Sequence, residues 1–285
     1  MSDLPGLLVL DKPAGITSNQ LVGQTKRRLG TRKVGHAGTL DPMATGVMIL
    51  GANRATRLLG YLLLHDKSYL ATIRLGQATD TDDAEGTIIS TAGAAGLTRE
   101  QVAAALPPYR GDITQVPSTY SAIKVDGRRA YDLARAGETV ALKGRSVHVA
   151  RFDLVDARPA MADGLPVLDV DVVVDCSSGT YIRALGRDLG ADLGTGGHLT
   201  SLRRTRVGGF TLDDASEELI PMLTVAKRCF PIVEIDAATA RDVGYGRPIE
   251  VPVTGPVTAI VHDGQFLALY EPTAEGARPV AVLVG

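Results

Sequence analysis

The sequence predicts an α+β fold in which a mixed, largely antiparallel sheet is followed by a small β-rich module. Two observations carry this. Strand-like and helix-like segments are interspersed irregularly over the first 230 residues, without the βα period of a doubly wound fold. Beyond Phe230-Pro231 the texture changes to short β-like pieces divided by Gly and Pro, which sets a domain boundary between 1–230 and 231–285.

The elements follow in order. Leu7-Leu8-Val9-Leu10 reads as a strand entering the turn Asp11-Lys12-Pro13-Ala14-Gly15. Thr17 or Ser18 caps a helix through Leu21, Val22, Thr25 and Leu29, with Gly30 as its stop. A Gly-rich loop over 35–42 precedes the apolar segment 47–50, and 67–75 alternates as a strand through Tyr69, Ala71, Ile73 and Leu75. Thr98 with Gln101 forms a capping-box signal for a helix over 99–106. The stretch 168–176 (LDVDVVVDC) is a strand, and Ser177-Ser178-Gly179-Thr180 turns the chain into a helix. Ile182, Leu185, Leu189 and Leu193 share one face of that helix, while Arg183 and Arg187 share another. In the C-terminal module, 249–253, 257–261, 266–270 and 280–284 read as strands.

Of the 285 residues, 45% are hydrophobic and 22% charged, which supplies a sizeable core and excludes wholesale disorder. No apolar run reaches the length of a membrane span, and the acidic start has no secretory leader pattern; the expected location is cytoplasmic. Cys176 and Cys229 are too few for a zinc site or a disulfide framework, and the five histidines show no metal-ligand spacing. No metal or other cofactor is expected.

The net charge of −2 conceals a gradient. Residues 12–36 hold six basic and no acidic side chains, and 120–151 has a balance of +4. From 211 to the end the balance is −6. Such segregation fits either a polyanion-binding face on the first two-thirds of the chain or a set of solvated helix faces.

Asp41 lies in the stretch Gly35-His36-Ala37-Gly38-Thr39-Leu40-Asp41-Pro42-Met43-Ala44-Thr45-Gly46. Pro42 biases it towards extended geometry, and Gly35 and Gly38 permit close backbone approach to a ligand. Taken alone, Asp-Pro also reads as a turn start and His36 as an ordinary loop histidine. The whole stretch closely resembles the signature loop of the bacterial tRNA pseudouridine-55 synthase family. So do Asp11-Lys12-Pro13 with Gly15 and Ser18, Lys67-Ser68-Tyr69, and Leu75-Gly76-Gln77-Ala78-Thr79-Asp80-Thr81-Asp82. Further similarity lies in Pro117-Ser118 with Tyr120-Ser121-Ala122-Ile123-Lys124, in 176–183, and in Gly197-His198-Leu199 with Leu202-Arg203-Arg204. These blocks keep the family's order and spacing over roughly residues 5 to 210.

The resemblance implies isomerisation of uridine, exchanging an N1–C1′ bond for C5–C1′, on a base flipped out of the T-arm of tRNA. It implies Asp41 as nucleophile, Arg183 as its cationic partner, and Tyr69 stacked on uracil and placed to move a proton. Tyr181 and Leu202 match positions lining the uracil pocket, and His36 a position that fills the space left by the flipped base. Lys12, Arg203 and Arg204 are expected at phosphates. Arg183, in the first turn of a helix, opposes the helix dipole, which itself calls for a carboxylate partner. The module from about 232 resembles a PUA domain through Tyr245-Gly246-Arg247-Pro248 and Gly264-Gln265-Phe266-Leu267-Ala268. No obligate protein partner is evident.

The rival from another class is a non-catalytic RNA-binding or tRNA-folding protein, which needs the basic surface and Tyr69 but not Asp41. A glycoside hydrolase requires two catalytic acids, and a serine hydrolase a GxSxG elbow that is absent. Two further motifs, the half calcium loop at 80–86 and the Gly-rich 194–197, read as turns.

Overall fold

The computed structural model describes residues 4–120, 124–125, 128–129 and 142–284. Ser121-Ala122-Ile123 and much of the basic stretch 120–151 therefore lie outside the described residues.

The chain opens with β1 (Gly6–Lys12), α1 (Ser18–Leu29), β2 (Val34–His36) and β3 (Thr45–Ala52). After a 3-10 turn come α2 (Leu59–Leu63), β4 (Lys67–Leu75), β5 (Ala78–Thr79) and β6 (Ile88–Ser90). Next are α3 (Arg99–Ala105), β7 (Gly111–Gln115), β8 (Lys124–Val125) and β9 (Arg128–Arg129). The long hairpin β10 (Arg145–Ala162) and β11 (Leu165–Cys176) leads to α4 (Ile182–Asp192) and β12 (Gly197–Val207). There follow β13 (Phe210–Thr211), β14 (Ile220–Pro221) and α5 (Met222–Cys229). The C-terminal segment holds β15 (Ile232–Glu234), α6 (Ala237–Gly244), β16 (Thr258–His262), β17 (Gln265–Thr273) and β18 (Gly276–Val282).

These elements divide into two compact units. The first comprises residues 1–42, 46–65 and 206–285, and the second 43–45 and 66–205. In the first, β14, β1 and β3 lie side by side with β2 on β3, all antiparallel. Leu7, Val9, Val47, Ile49, Leu58 and Phe210 form a core that also takes in Phe266, Leu269 and Leu283 from the C-terminal segment. That segment has its own sheet, β15-β16-β17-β18, and a second core around Val243, Ile260, Ala268 and Tyr270. Its β15–β16 pair is parallel.

In the second unit the strand order is β12-β4-β11-β10-β7. Alternation decides the faces: Tyr69, Ala71, Ile73 and Leu75 of β4 are buried, as are Val170, Val172 and Val174 of β11. Ile182, Leu185 and Leu189 of α4 are buried too. A Cβ on Gly190 would lie 2.3 Å from Gly196 C, so only glycine lets α4 approach the 194–197 turn this closely. The other strand face carries cross-strand pairs, with Arg74 bidentate on Asp169 (2.8 Å) and Thr72 Oγ1 donating to Asp171 (2.7 Å). These pairs fix register, because a one-residue slip would exchange the two faces.

Several sequence expectations need correction. The 249–253 segment is not a strand; Ile249 makes a single bridge to Ala277, and Pro248 and Pro252 remove the amide donors a ladder requires. The last strand begins earlier, at Gly276. The Gly-rich loop begins inside a short strand, β2.

Candidate active site

The loop bearing Asp41 is built within the first unit from three elements. Thr17 caps α1 in a full capping box with Gln20, and Gly30 closes the helix in the left-handed region at φ 64°. That helix start carries Ser18, 2% exposed, whose Oγ donates to Leu40 O and accepts from Leu40 N, both at 2.9 Å. On the other side, Pro42 O accepts from Gly15 N at 2.9 Å and from Lys12 Nζ at 3.1 Å. Gly15 has φ 82°, a conformation that costs a Cβ-bearing residue strain. Leu40, 4% exposed, anchors the loop in apolar surroundings. The peptides before and after the half-buried Asp41 are thus both fastened, and residue 41 sits between two fixed points.

Lys12 is placed differently from the sequence expectation. Its side chain is fully buried and its ammonium donates to the carbonyls of Pro13 (3.0 Å) and Pro42 (3.1 Å). A buried ammonium committed to carbonyls braces the loop; it is not a surface contact for phosphate. His36 ends β2, half-buried, paired in register with Leu50.

The remaining candidates belong to the second unit. Tyr69 lies on β4, 7% exposed, opposite Val174 of β11. Tyr181 precedes α4, half-buried, with its backbone clamped by Gln115: its N–H donates to Oε1 (2.8 Å) and its carbonyl accepts from Nε2 (3.0 Å). Leu202 is buried on β12. Arg203 is half-buried and donates to Thr45 Oγ1 at 3.2 Å, whereas Arg204 is 1% exposed, which overturns a phosphate contact for that side chain.

Arg183 does have the carboxylate partner that its position on α4 demands. Within the second unit that partner is Asp83: Arg183 Nη1 lies 3.2 Å from Asp83 Oδ2, with side chains 6% and 4% exposed. The guanidinium also donates to the carbonyls of Thr81 (2.8 Å) and Tyr120 (2.9 Å). Asp83 Oδ1 accepts from Thr81 Oγ1 (2.7 Å) and Glu85 N (3.0 Å). Next to it, Arg187 Nη1 pairs with Asp82 at 3.2 Å, and burial pushes the Asp82 carboxyl up against the opposing pull of Arg187. Asp82 adopts φ 61°, and its carbonyl accepts from Leu199 N at 3.0 Å.

The 80–86 segment is therefore more than the turn expected of it: it supplies two buried acids to two arginines of α4. The four-residue spacing of Arg183 and Arg187 on one helix face, and two adjacent acids, were the available signal. Lys67 is a further buried cation, 5% exposed on β4 opposite Cys176 of β11. Burial and then the neighbouring Arg204 lower its ammonium to about 8, against smaller opposing effects of Cys176 and Asp66. Among the described residues, no group of three His, Cys, Asp or Glu is arranged to hold a metal, and no helix is long and apolar enough to cross a membrane.

Known proteins match along nearly all of the chain. The N-terminal domain model of the TruB family pseudouridylate synthases covers residues 26–182. The tRNA pseudouridylate synthase B C-terminal model covers 183–230, and the tRNA pseudouridine synthase II C-terminal model 230–284. The protein named tRNA pseudouridine synthase B of Cutibacterium acnes is 51% identical over 293 residues, covering 98% of both chains. Its namesake in Rhodococcus jostii is 52% identical over 289 residues, covering 98% of this chain and 93% of that one. A chain of the solved Cbf5-Nop10-Gar1 complex superposes with TM-score 0.72 at 25% identity, covering 98% of this chain and 85% of that one. A chain of an H/ACA RNP bound to a substrate RNA containing 2′-deoxyuridine gives 0.71 at 22% identity, with the same coverage, a likeness of fold. By the family model and these relatives, this chain belongs to the TruB family of pseudouridylate synthases.

Proposed function

We propose that this chain converts uridine 55 in the T-loop of tRNA to pseudouridine, with Asp41 as the nucleophile. The observation that carries the reading is the bracing of Leu40 and Pro42 on either side of Asp41, which fixes a carboxylate before substrate arrives. The isomerisation releases and recaptures uracil on the same ribose, so atoms and electrons balance without an external reductant or metal. Covalent capture by a carboxylate splits the exchange into two easier displacements.

Arg183 acts as the cation beside the nucleophile and Tyr69 as the stacking surface and proton mover. Tyr181 and Leu202 line the uracil pocket, His36 fills the space the flipped base leaves, and Arg203 holds a phosphate. Base stacking of about 1–3 kcal/mol offsets part of the flipping cost. Residues 231–285 are a PUA-like domain, and the enzyme works on the T-arm in the cytoplasm without an obligate protein partner.

The test is tritium release from a T-arm stem-loop labelled at uridine C5. Wild type should release tritium, and Asp41→Ala should fall by at least about 10⁴-fold while binding the hairpin with unchanged affinity. Binding by both proteins with release by neither would replace this reading with a non-catalytic RNA-binding or tRNA-folding role.

A further inference from the structure

The first unit contains a basic pocket that none of the residues above explains. It is a cavity of about 560 Å³ lined by Pro5, Lys33, Asn53, Arg54, Thr56 and Arg57. Among the described residues, three cations line it and no carboxylate does. Its volume falls within the range of small-ligand sites.

The floor is rigid because Asn53 ties three segments together. Asn53 is 7% exposed and held at φ 54°. Its Nδ2 donates to Leu4 O (3.0 Å), its Oδ1 accepts from Thr31 Oγ1 (2.7 Å), and its N–H donates to Lys33 O (2.7 Å). Thr56 Oγ1 donates back to Asn53 O at 2.7 Å. A buried, satisfied network of this kind keeps the cavity open at one shape.

The rim is oriented by the C-terminal segment. Arg54 Nη1 donates to Leu283 O at 3.3 Å, and Arg57 Nη1 donates to Val282 O. The two carbonyl bonds fix the direction of both guanidinium groups at the rim. Lys33, exposed and directly before β2, adds a third positive charge, and its carbonyl is held by Asn53 N.

We infer that this pocket binds a phosphate group of the RNA substrate, and that the net-acidic C-terminal module serves that site by holding its arginines. The inference rests on the tRNA reading above. It also gives the module a role that needs no basic surface of its own.

Lys33→Gln is the first variant, because it removes charge without touching the bonds to Val282 and Leu283. Binding of unmodified full-length tRNA is measured across a salt series, beside thermal melting. Lys33→Gln should weaken binding about 3- to 10-fold at moderate salt and reduce the slope of log K against log salt by about 0.9, with unchanged melting. Arg57→Lys keeps the charge but not the planar fork, and should leave the slope intact while weakening binding about 3-fold. An unchanged slope in Lys33→Gln would overturn the pocket, and full affinity in Arg57→Lys would overturn the bracing. Calorimetric titration with inorganic pyrophosphate is the third arm: Lys33-dependent pyrophosphate binding with an unchanged tRNA slope would assign the pocket to a free anion instead. Tritium release by the same preparations separates the two readings. Release with an unchanged slope sinks the pocket alone, and an altered slope without release sinks the catalytic reading alone.

Discussion

The loop around Asp41 and the turn around Asp83 each present an aspartate, and they are held by opposite means. At Asp41 the fastening is in the neighbouring peptides: Ser18 grips both polar groups of Leu40, and Lys12 and Gly15 grip Pro42 O. At Asp83 the carboxylate itself is fastened, by Thr81, Glu85 N and Arg183. Bonds to the flanking peptides fix the backbone at 41 whatever its side chain, while the bonds at Asp83 depend on the side chain itself. The difference lies in how far each loop's stability depends on its own aspartate.

The largest test of that contrast is a paired substitution. Asp41→Asn should abolish turnover, by about 10⁴-fold or more, with thermal stability retained. Asp83→Ala should instead destabilise the fold by about 3–5 kcal/mol, because it removes a buried carboxylate that pairs with the buried Arg183 guanidinium. Urea denaturation of both variants checks this, and equal stability losses would erase the distinction.

The next largest effect concerns another buried cation of the second unit. Lys67 has a folded value of about 8, below its unfolded 10.5. Between those values the unfolded chain holds the proton and the folded chain does not, so this group makes stability rise with pH across that window. The stability difference between wild type and Lys67→Met should therefore move in favour of wild type by up to about 3 kcal/mol from pH 8 to 10.5. A flat difference would show that Lys67 is solvated in the fold.

Smaller effects should follow from the Asp41 brace. Lys12→Met removes the ammonium bonds to Pro13 O and Pro42 O, leaving Gly15 N on Pro42 O, and should cost about 1–3 kcal/mol, with kcat falling more than KM rises. Thr17→Ala, which removes the α1 cap behind Ser18, should cost about 1 kcal/mol. A Lys12→Met protein with full kcat would detach the brace from catalysis.

Much of this fold was legible because its signals are local. Thr17, Gly30 and Thr98 act through hydrogen bonds within a few residues, so the ends of α1 and the start of α3 appear where the sequence puts them. Alternation in 67–75 and 168–176 likewise marks β4 and β11, because a half-buried strand writes its faces into its own order. What sequence left open is long-range. The Arg183–Asp83 pair joins residues a hundred positions apart, and nothing in the Asp80-Thr81-Asp82-Asp83 string distinguishes an exposed acidic turn from two buried counter-ions. Lys12 and Arg204 fail in the same way: charge predicts a surface, and only the packed fold shows carbonyls or neighbours enclosing them. In the C-terminal module the deciding signal is local: Pro248 and Pro252 outweigh the alternating β-branched residues of 249–253.

The backbone brace also makes position 41 an engineering socket. Since the bonds from Ser18, Gly15 and Lys12 run to peptide groups of Leu40 and Pro42, exchanging the side chain at 41 leaves them in place. The native thiols offer little competition: burial pushes Cys176 up to about 11 and Cys229 up to about 12, so neither is appreciably a thiolate at neutral pH. An Asp41→Cys protein would thus carry one preferentially reactive sulfur at the mouth of its chemistry, a point for tethering thiol-modified RNA and trapping a bound state that turnover normally erases.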